Sequence, residues 1–83
     1  GSGKTTLARL LGESLGWRWV SLSAVQVGAP EVREVARLAQ RTWRTEDRQT
    51  LLVLDEIHRF NRAQQDALLP PLEDGTLRLI GAT

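Results

Sequence analysis

Residues 51–60, LLVLDEIHRF, decide the fold of this chain. Leu51 to Leu54 are apolar without a break, and Asp55 and Glu56 follow at once. A run of this kind predicts a strand buried on both faces, in the middle of a parallel sheet. Because burying an unpaired carboxylate costs several kcal/mol, the two acids must emerge at the carboxyl edge, where ligands bind in open α/β sheets. A divalent cation with a phosphate is a common partner there, and an ordinary acidic turn is the alternative for this stretch alone.

The first five residues, GSGKT, match the second half of the phosphate-binding pattern G-x-x-x-x-G-K-[ST]. Its glycines let successive backbone N–H groups turn toward phosphates at a helix N-terminus. Lys4 would reach the β and γ phosphates as a compact charge, and the Thr5 hydroxyl would bind Mg²⁺. Lys4 is the only lysine in a chain with eleven basic residues, which fits a position where guanidinium is too wide. The alternative, a Gly/Ser loop with a solvated Lys4, is weakened by the acidic strand end that follows.

Composition limits the class of protein. Eighty-three residues allow at most one domain, and a chain this short buries only about 60% of its unfolded surface. Eleven basic residues against ten acidic ones give no global basic field, so composition neither indicates nor excludes DNA. The absence of cysteine excludes a disulfide framework and a thiolate metal site. No apolar run approaches the roughly 20 residues that span a bilayer, and no secretory leader opens the chain, so we expect a cytoplasmic protein.

The phosphate loop feeds a helix that the apolar spacing predicts from Thr5 to about Leu15. Its apolar stripe is expected to be ordinary core: Leu7, Leu10, Leu11 and Leu15. Residues 17–23, WRWVSLS, alternate in polarity and predict a second strand, nearer a sheet edge. Trp17 and Trp19 could stack on nucleobases, but packing is their expected role.

A second helix is predicted from Glu31 to about Trp43, after a start at Pro30. Its expected buried face is formed by Val32, Val35, Ala36, Ala39 and Trp43. The arginine-rich outer face could touch DNA phosphates, although a solvated face is the expected account.

A third helix is predicted over residues 61–69, with Asn61 as a possible N-cap and Pro70-Pro71 as a stop. Its expected apolar stripe consists of Ala63, Ala67 and Leu68. Residues 73–76 predict a turn, and residues 77–80, LRLI, begin a third strand.

With both motifs in hand, the chain resembles the nucleotide-binding core of an AAA+ ATPase. GSGKTTLA matches the end of Walker A, LLVLDE the Walker B strand, and LIGAT the run into sensor 1. Residues 55–83, DEIHRFNRAQQDALLPPLEDGTLRLIGAT, are similar to the replication-associated recombination protein A family (RarA/MgsA, the Werner helicase-interacting protein in eukaryotes). The stretches at 23–25 and 32–35 also resemble that family. Pro71 stands where the family often has His, so no role is carried over to that position.

The resemblance implies an α/β fold, a P-loop NTPase of the AAA+ type with three αβα layers and a mainly parallel sheet. Residues 1–83 would form part of that core, starting within Walker A and ending at sensor 1. The first strand, arginine finger, sensor 2 and lid would lie outside them. We therefore expect a fragment, truncated at both ends, that hydrolyses ATP scarcely at all by itself.

Carried over residue by residue, the resemblance assigns roles to the loop and to both acids. Glu56 is the expected general base, and Lys4 acts with it in catalysis. Thr5 and Asp55 are the expected Mg²⁺ ligands, Asp55 through water. Thr83 lies at sensor 1. The expected nucleotide-binding residues are Gly1, Ser2, Gly3, Lys4, Thr5 and Thr6.

His58 and Arg59 follow the two acids directly. They could relay the nucleotide state to a neighbouring subunit or to DNA, or His58 could cap or pack against the next helix. No second ligand stands nearby in the sequence, so a metal site at His58 is not expected.

The implied function is Mg²⁺-dependent ATP binding and hydrolysis by a DNA-dependent ATPase in replication-fork maintenance, recombination and repair. The implied partners are single-stranded, gapped or forked DNA, further copies in a homotetramer, and a single-strand-binding protein, in the cytoplasm with the nucleoid and without a membrane. The alternatives are a branch-migration motor like RuvB, which shares DEIHR, a clamp-loader ATPase, and an inactive nucleotide-binding module. A P-loop phosphotransferase is disfavoured because it would lack the base beside Asp55.

Overall fold

A computed structural model describes the backbone of residues 2–81 and their side chains, except those of residues 2–6 and residue 8. Helices and strands alternate along the described chain, with one short 3₁₀ helix. In order they are α1 (Ser2–Leu15), β1 (Arg18–Ser23), α2 (Ala29–Glu46), β2 (Thr50–Asp55), the 3₁₀ helix (Ile57–Arg59), α3 (Arg62–Asp74) and β3 (Leu77–Gly81). Within residues 2–81 the strands pair in parallel as one sheet in the order β1-β2-β3. The predicted α/β fold with a parallel sheet is confirmed.

The central strand is β2, as the apolar run predicts. Its four apolar side chains, Leu51 to Leu54, are at most 2% exposed. Leu52 packs on one face of the sheet, and Leu51 and Val53 pack on the other. A strand that buries both faces needs the unbroken apolar run seen in the sequence.

The two faces of the sheet are covered by different helices. On one face the buried residues of α2 and α3 join those of the sheet in a single cluster, formed by Val32, Ala39, Leu52, Leu68 and Leu77. On the other face Trp17, Trp19 and Ile80 pack against Leu51 and Val53. Packing, the expected role of the two tryptophans, is therefore the one observed.

Helix α1 lies on the tryptophan face and starts at Ser2, three residues before the predicted Thr5. Gly12 of this helix is buried against the sheet. A Cβ at Gly12 would lie 3.6 Å from Trp19 Cβ and Cδ1 and 3.7 Å from Leu51 Cδ2. At Gly12 the backbone of the helix thus lies against these two side chains of the sheet.

The leucine stripe of α1 is not core, so that prediction is wrong. Its members are 46 to 69% exposed: Leu7, Leu10, Leu11 and Leu15. Successive residues of an α-helix are turned by about 100°, so a helix that faces the sheet at Gly12 turns the neighbouring leucine row away from it. Helical spacing identified the leucines that share a face, but not what covers that face.

Helix α2 begins with Gly28 as N-cap, whose N–H donates to Glu31 Oε2 at 2.9 Å. It extends to Glu46, three residues beyond the expected end. Its buried residues are Val32, Ala36, Ala39 and Thr42. Trp43 is 40% exposed, so its predicted place on the buried face is wrong. Thr42 takes that place, and Arg18 Nη1 donates to its hydroxyl at 3.4 Å.

Helix α3 starts as predicted, with Asn61 Oδ1 accepting from the Gln64 N–H at 2.9 Å. It then continues through Pro70 and Pro71 to Asp74, so the predicted stop is wrong. Proline fixes φ near −65°, which a helix accepts, and the loss is the intrahelical N–H donor. Pro71 is buried, and Leu72 packs against the core, which offsets that loss.

The end of α3 is set by Gly75, which adopts φ 77° as a left-handed C-cap. Its N–H donates to the Leu72 carbonyl at 3.3 Å, and the Thr76 N–H donates to the Pro71 carbonyl at 3.0 Å. The predicted turn at residues 73–76 is thus shortened, since Asp74 still belongs to the helix. Ala63 is exposed, contrary to expectation, and the buried row of the helix is Gln64, Leu68 and Pro71.

Candidate functional site

The carboxyl ends of the strands meet at one edge of the sheet. Ser23 pairs with Asp55 in register, and Leu54 pairs with Gly81. The Asp55 carbonyl accepts a hydrogen bond from the Ala24 N–H at 2.9 Å, which ties the ends of β1 and β2 together. This is the edge at which the sequence placed the two acids.

The amino end of α1 lies at the same edge. Its carboxyl end leads through Gly16 and Trp17 into the start of β1, so the helix and the strand run in opposite directions. Fourteen helical residues span about 21 Å and six strand residues about 20 Å, so the first turn of α1 reaches the level of the strand ends. The topology therefore brings residues 2–6 and Asp55 to one edge.

That first turn is a suitable place for an anion. The first N–H groups of a helix have no intrahelical acceptor, and the helix dipole favours negative charge there. The predicted phosphate ligands Ser2, Gly3, Lys4, Thr5 and Thr6 are in α1, and the side chains of these residues lie outside the described set. Gly1 and Thr83, the predicted sensor 1 residue, also lie outside the described residues.

Asp55 is the last residue of β2, and its side chain is half-buried. Among the described residues no group of three or more His, Cys, Asp or Glu side chains is placed to hold a metal ion. A single carboxylate fits Mg²⁺ nonetheless, because this ion keeps several waters and is usually bound by one or two carboxylates plus substrate phosphates. Asp55 and the predicted ligand Thr5 would hold it.

Glu56 has an unusual backbone conformation. Its φ is 58° and its ψ is 43°, the left-handed region, and in the described chain Asp47 is the only other non-glycine residue with positive φ. Such a conformation costs about 1 kcal/mol or more and persists only where the surroundings hold it, often at functional sites. The Glu56 carbonyl accepts from the Arg59 N–H at 2.9 Å, which closes the 3₁₀ turn behind it.

The Glu56 side chain faces His58. His58 Nε2 lies 3.3 Å from Glu56 Oε2, and the two side chains are 54% and 45% exposed. The sequence predicted a packing, capping or relay role for His58. Its described side-chain contact is with Glu56, the predicted base, rather than with α3. An accessible carboxylate beside Asp55 can reach a water molecule at this edge.

Two contacts around the site escaped sequence reasoning. The Ile57 side chain lies over Gly81, the residue opposite Leu54 at the end of β3. The Gln64 side chain is buried between α3 and the segment that follows β1. Gln64 and Gln65 lie in the stretch that resembles the family, but the sequence gives no sign that the Gln64 side chain faces inward.

A cleft lies at the opposite edge, between α2 and the turn that joins α3 to β3. Its volume is about 440 Å³, and it is lined by Arg37, Gln40, Trp43, Arg44, Asp74 and Thr76. The Arg37 guanidinium donates to the Glu34 carboxylate, which raises the pKa of Arg37. The Gln40 side-chain amide donates to the Asp74 carboxylate at 2.9 Å. Two of its charged groups are thus already engaged, Arg37 with Glu34 and Asp74 with Gln40.

Comparison with known proteins agrees with this geometry. The family model described as "ATPase family associated with various cellular activities (AAA)" matches residues 1–83. The chain belongs to the AAA family. Its three parallel strands and the helices that cover them are thus part of a P-loop NTPase fold.

Individual relatives of this AAA chain have a narrower description. Proteins named replication-associated recombination protein A are 48% identical in Haemophilus influenzae and 47% identical in Escherichia coli K12, over 100% of this chain and 18% of theirs. An ATPase named WRNIP1 in Dictyostelium discoideum is 45% identical over 100% of this chain and 9% of its own length. The family resemblance stated from the sequence is confirmed. The chain spans less than a fifth of the length of these relatives.

Among the described helices of this AAA chain, none has both the length and the apolar composition that a membrane crossing requires.

Proposed function

We propose that this AAA chain binds ATP with Mg²⁺ and hydrolyses it, as the nucleotide-binding core of a DNA-dependent ATPase in replication and recombination. One observation carries the proposal. Glu56, in a strained left-handed turn, directly follows Asp55 at the edge of the sheet that the amino end of α1 also reaches. The proposed metal ligand, the proposed base and the proposed anion site would thus share one edge.

The proposed mechanism assigns one task to each residue. Lys4 and the first N–H groups of α1 hold the β and γ phosphates, with Gly1 to Thr6 as the binding loop. Thr5 and Asp55 hold the cation. Mg²⁺, when bound there, would offset the negative charge that develops on the phosphate oxygens.

Glu56 orients the attacking water and accepts its proton. As the water oxygen bonds to the γ phosphorus, the bond from that phosphorus to the leaving oxygen of ADP breaks, and ADP and phosphate are released. Thr83, at the sensor 1 position, is proposed to contact the γ phosphate.

The names of the relatives support a role in replication-associated recombination. We propose single-stranded, gapped or forked DNA as the activator, a homotetramer as the assembly, a single-strand-binding protein as a partner, and the cytoplasm with its nucleoid as the location. Because the chain covers 18% of the first relatives, these proposals concern the full-length gene product.

The decisive test is steady-state ATP hydrolysis by the full-length gene product, with and without forked or gapped DNA. Glu56→Gln should still bind ATP but lose at least about 10²-fold in kcat, because the base is removed while the binding loop remains. Lys4→Ala should weaken ATP binding itself. Glu73→Gln, the same change at an exposed carboxylate of α3, is the matched control and should leave hydrolysis unchanged.

Hydrolysis that Glu56→Gln leaves intact would contradict the assignment of the base. Hydrolysis that no DNA stimulates would contradict the DNA-dependent part and leave a plain nucleotide-binding core.

A further inference from the structure

The turn that carries Glu56 has to be held by its surroundings. A left-handed conformation at a non-glycine residue is unfavourable by itself, and the neighbouring hydrogen bonds fix mainly the two ends of the turn. The Asp55 carbonyl is bonded to Ala24 before the turn, and the Phe60 N–H donates to the Ile57 carbonyl at 3.0 Å after it. A third bond, from the Arg59 N–H to the Glu56 carbonyl at 2.9 Å, closes the turn, and the Glu56 carboxylate lies 3.3 Å from the exposed His58 Nε2, but none of these contacts joins the turn to β3.

Ile57 is the apolar side chain of this turn. It is half-buried, yet within the described residues it belongs to neither core cluster of the sheet. Its contact is with the end of β3. A Cβ built at Gly81 would overlap Ile57 Cδ1 and lie 3.5 Å from Ile57 Cβ and Cγ1.

The backbone does not explain the glycine at residue 81. Gly81 is not among the glycines with positive φ, which in the described chain are Gly16 and Gly75, so any L-residue could adopt its strand conformation. A glycine in a strand also weakens the strand. The atom that a Cβ there would meet is the terminal Cδ1 of Ile57, while Ile57 Cβ and Cγ1 lie at an ordinary contact distance.

We infer that Ile57 and Gly81 are positioning residues for Glu56: the isoleucine side chain, seated on the bare backbone of Gly81, holds the turn that aims the Glu56 carboxylate. Gly81 pairs with Leu54, immediately before Asp55, so the seat lies beside both acids. The position of β3 and the aim of Glu56 are thereby linked. The inference rests on the proposed function only in taking Glu56 as the base.

The test is a double-mutant cycle in the full-length gene product. Gly81→Ala adds a methyl group where Cδ1 lies, and should lower kcat for ATP hydrolysis about tenfold or more while KM for ATP stays unchanged, because misplacing a reacting group by about 1 Å can cost up to about 10²-fold. Ile57→Val removes Cδ1 and should restore much of the lost activity in the double variant. Ile57→Val alone loosens the seat and should lower kcat less than Gly81→Ala does.

Gly12→Ala is the matched control. It adds the same methyl group to a buried glycine, but the neighbours there are at 3.6 to 3.7 Å, an ordinary contact distance. The kcat for ATP hydrolysis at saturating ATP should be unchanged. If Gly81→Ala is insoluble, Ile57→Ala is tested instead, since it removes the side chain that contacts Gly81 without adding volume. It should lower kcat while KM for ATP stays constant.

A double variant no more active than Gly81→Ala, or an unchanged kcat in Ile57→Ala, would overturn the inference. Crystal structures of the wild type and Gly81→Ala give an answer that does not depend on activity. A displaced Glu56 turn supports the inference even if the wild type hydrolyses no ATP, in which case only the proposed function fails. An Ile57 side chain that rotates away while Glu56 keeps its place overturns the inference.

Discussion

At the scale of single residues, Gln64 joins α3 to the segment between β1 and α2. Its side chain is 3% exposed, and its Nε2 donates to the Val27 carbonyl at 2.6 Å and to the Ala24 carbonyl at 3.2 Å. Its Oε1 accepts from the Asn61 N–H at 2.7 Å. One amide thus holds the start of α3 and the end of β1 in a fixed relation, close to Asp55.

Replacing Gln64 by Ala should lower the free energy of unfolding by about 1–3 kcal/mol, because buried carbonyl groups lose their donor. The adjacent Gln65 is exposed, and its side-chain Nε2 donates to the Phe60 carbonyl at 3.1 Å. Gln65→Ala should therefore change the free energy of unfolding by no more than about 0.5 kcal/mol. Chemical unfolding of the two variants compares the same substitution at neighbouring positions. Equal losses in the free energy of unfolding would show that the buried hydrogen bonds of Gln64 do not stabilise the fold.

At the scale of elements, α3 is the helix whose local sequence disagrees most with its structure. Proline inside a helix costs about 3 kcal/mol, because the residue has no N–H and its ring crowds the preceding turn. Pro70 is exposed and Pro71 is buried. The two neighbours therefore separate the cost to the helix from the gain of packing.

Pro70→Ala should raise the free energy of unfolding by about 1 kcal/mol or more, since it restores a donor toward the Asp66 carbonyl and removes no core contact. Pro71→Ala should be neutral or destabilising, because the restored hydrogen bond is offset by a cavity. Thermal unfolding of both variants, monitored by circular dichroism at 222 nm, measures the difference. A destabilising Pro70→Ala would mean that the kink itself is needed for packing.

Elements were predicted well where a single local pattern decides them. The strand at residues 51–54 was found because burial on both faces leaves an unbroken apolar run, and the start of α3 because Asn61 is a good N-cap. The stop at Pro70-Pro71 failed because that rule counts local hydrogen bonds, whereas the burial of Pro71 is tertiary. The Ile57–Gly81 contact could not be found, because it joins residues that only the sheet brings together.

At the scale of the whole molecule, the chain exposes a leucine row on the outer side of α1. The row consists of Leu7, Leu10, Leu11 and Leu15, the residues whose burial was wrongly predicted. Soluble monomers rarely leave such a contiguous apolar surface open. The place of Asp55 at the end of the central strand was predicted correctly, whereas the surroundings of α1 were not, because periodicity carries no information about neighbouring elements.

The 83-residue chain by itself should therefore self-associate through α1. Replacing the four leucines by glutamine should shift sedimentation toward the monomer at the same concentration, because the apolar area available for association is removed. Leu69→Gln is the control, since Leu69 is 49% exposed but lies on α3, on the other side of the sheet. Association that persists in the fourfold variant would assign the contact to another surface.

The contact of Gly12 in α1 with the sheet, made without a side chain, affects how tightly a ligand can bind at the amino end of this helix. Among the described side chains of α1 the leucines turn outward and Gly12 has none, so this described part of the helix buries little apolar area that would resist local unfolding. A nucleotide held by the amino end of α1 binds only the folded helix, so it shifts the local equilibrium toward that form. The measured affinity then equals the intrinsic affinity reduced by the fraction of molecules in which α1 is formed. Any partner that covers the outer side of α1 would raise that fraction, and would tighten nucleotide binding without touching the nucleotide.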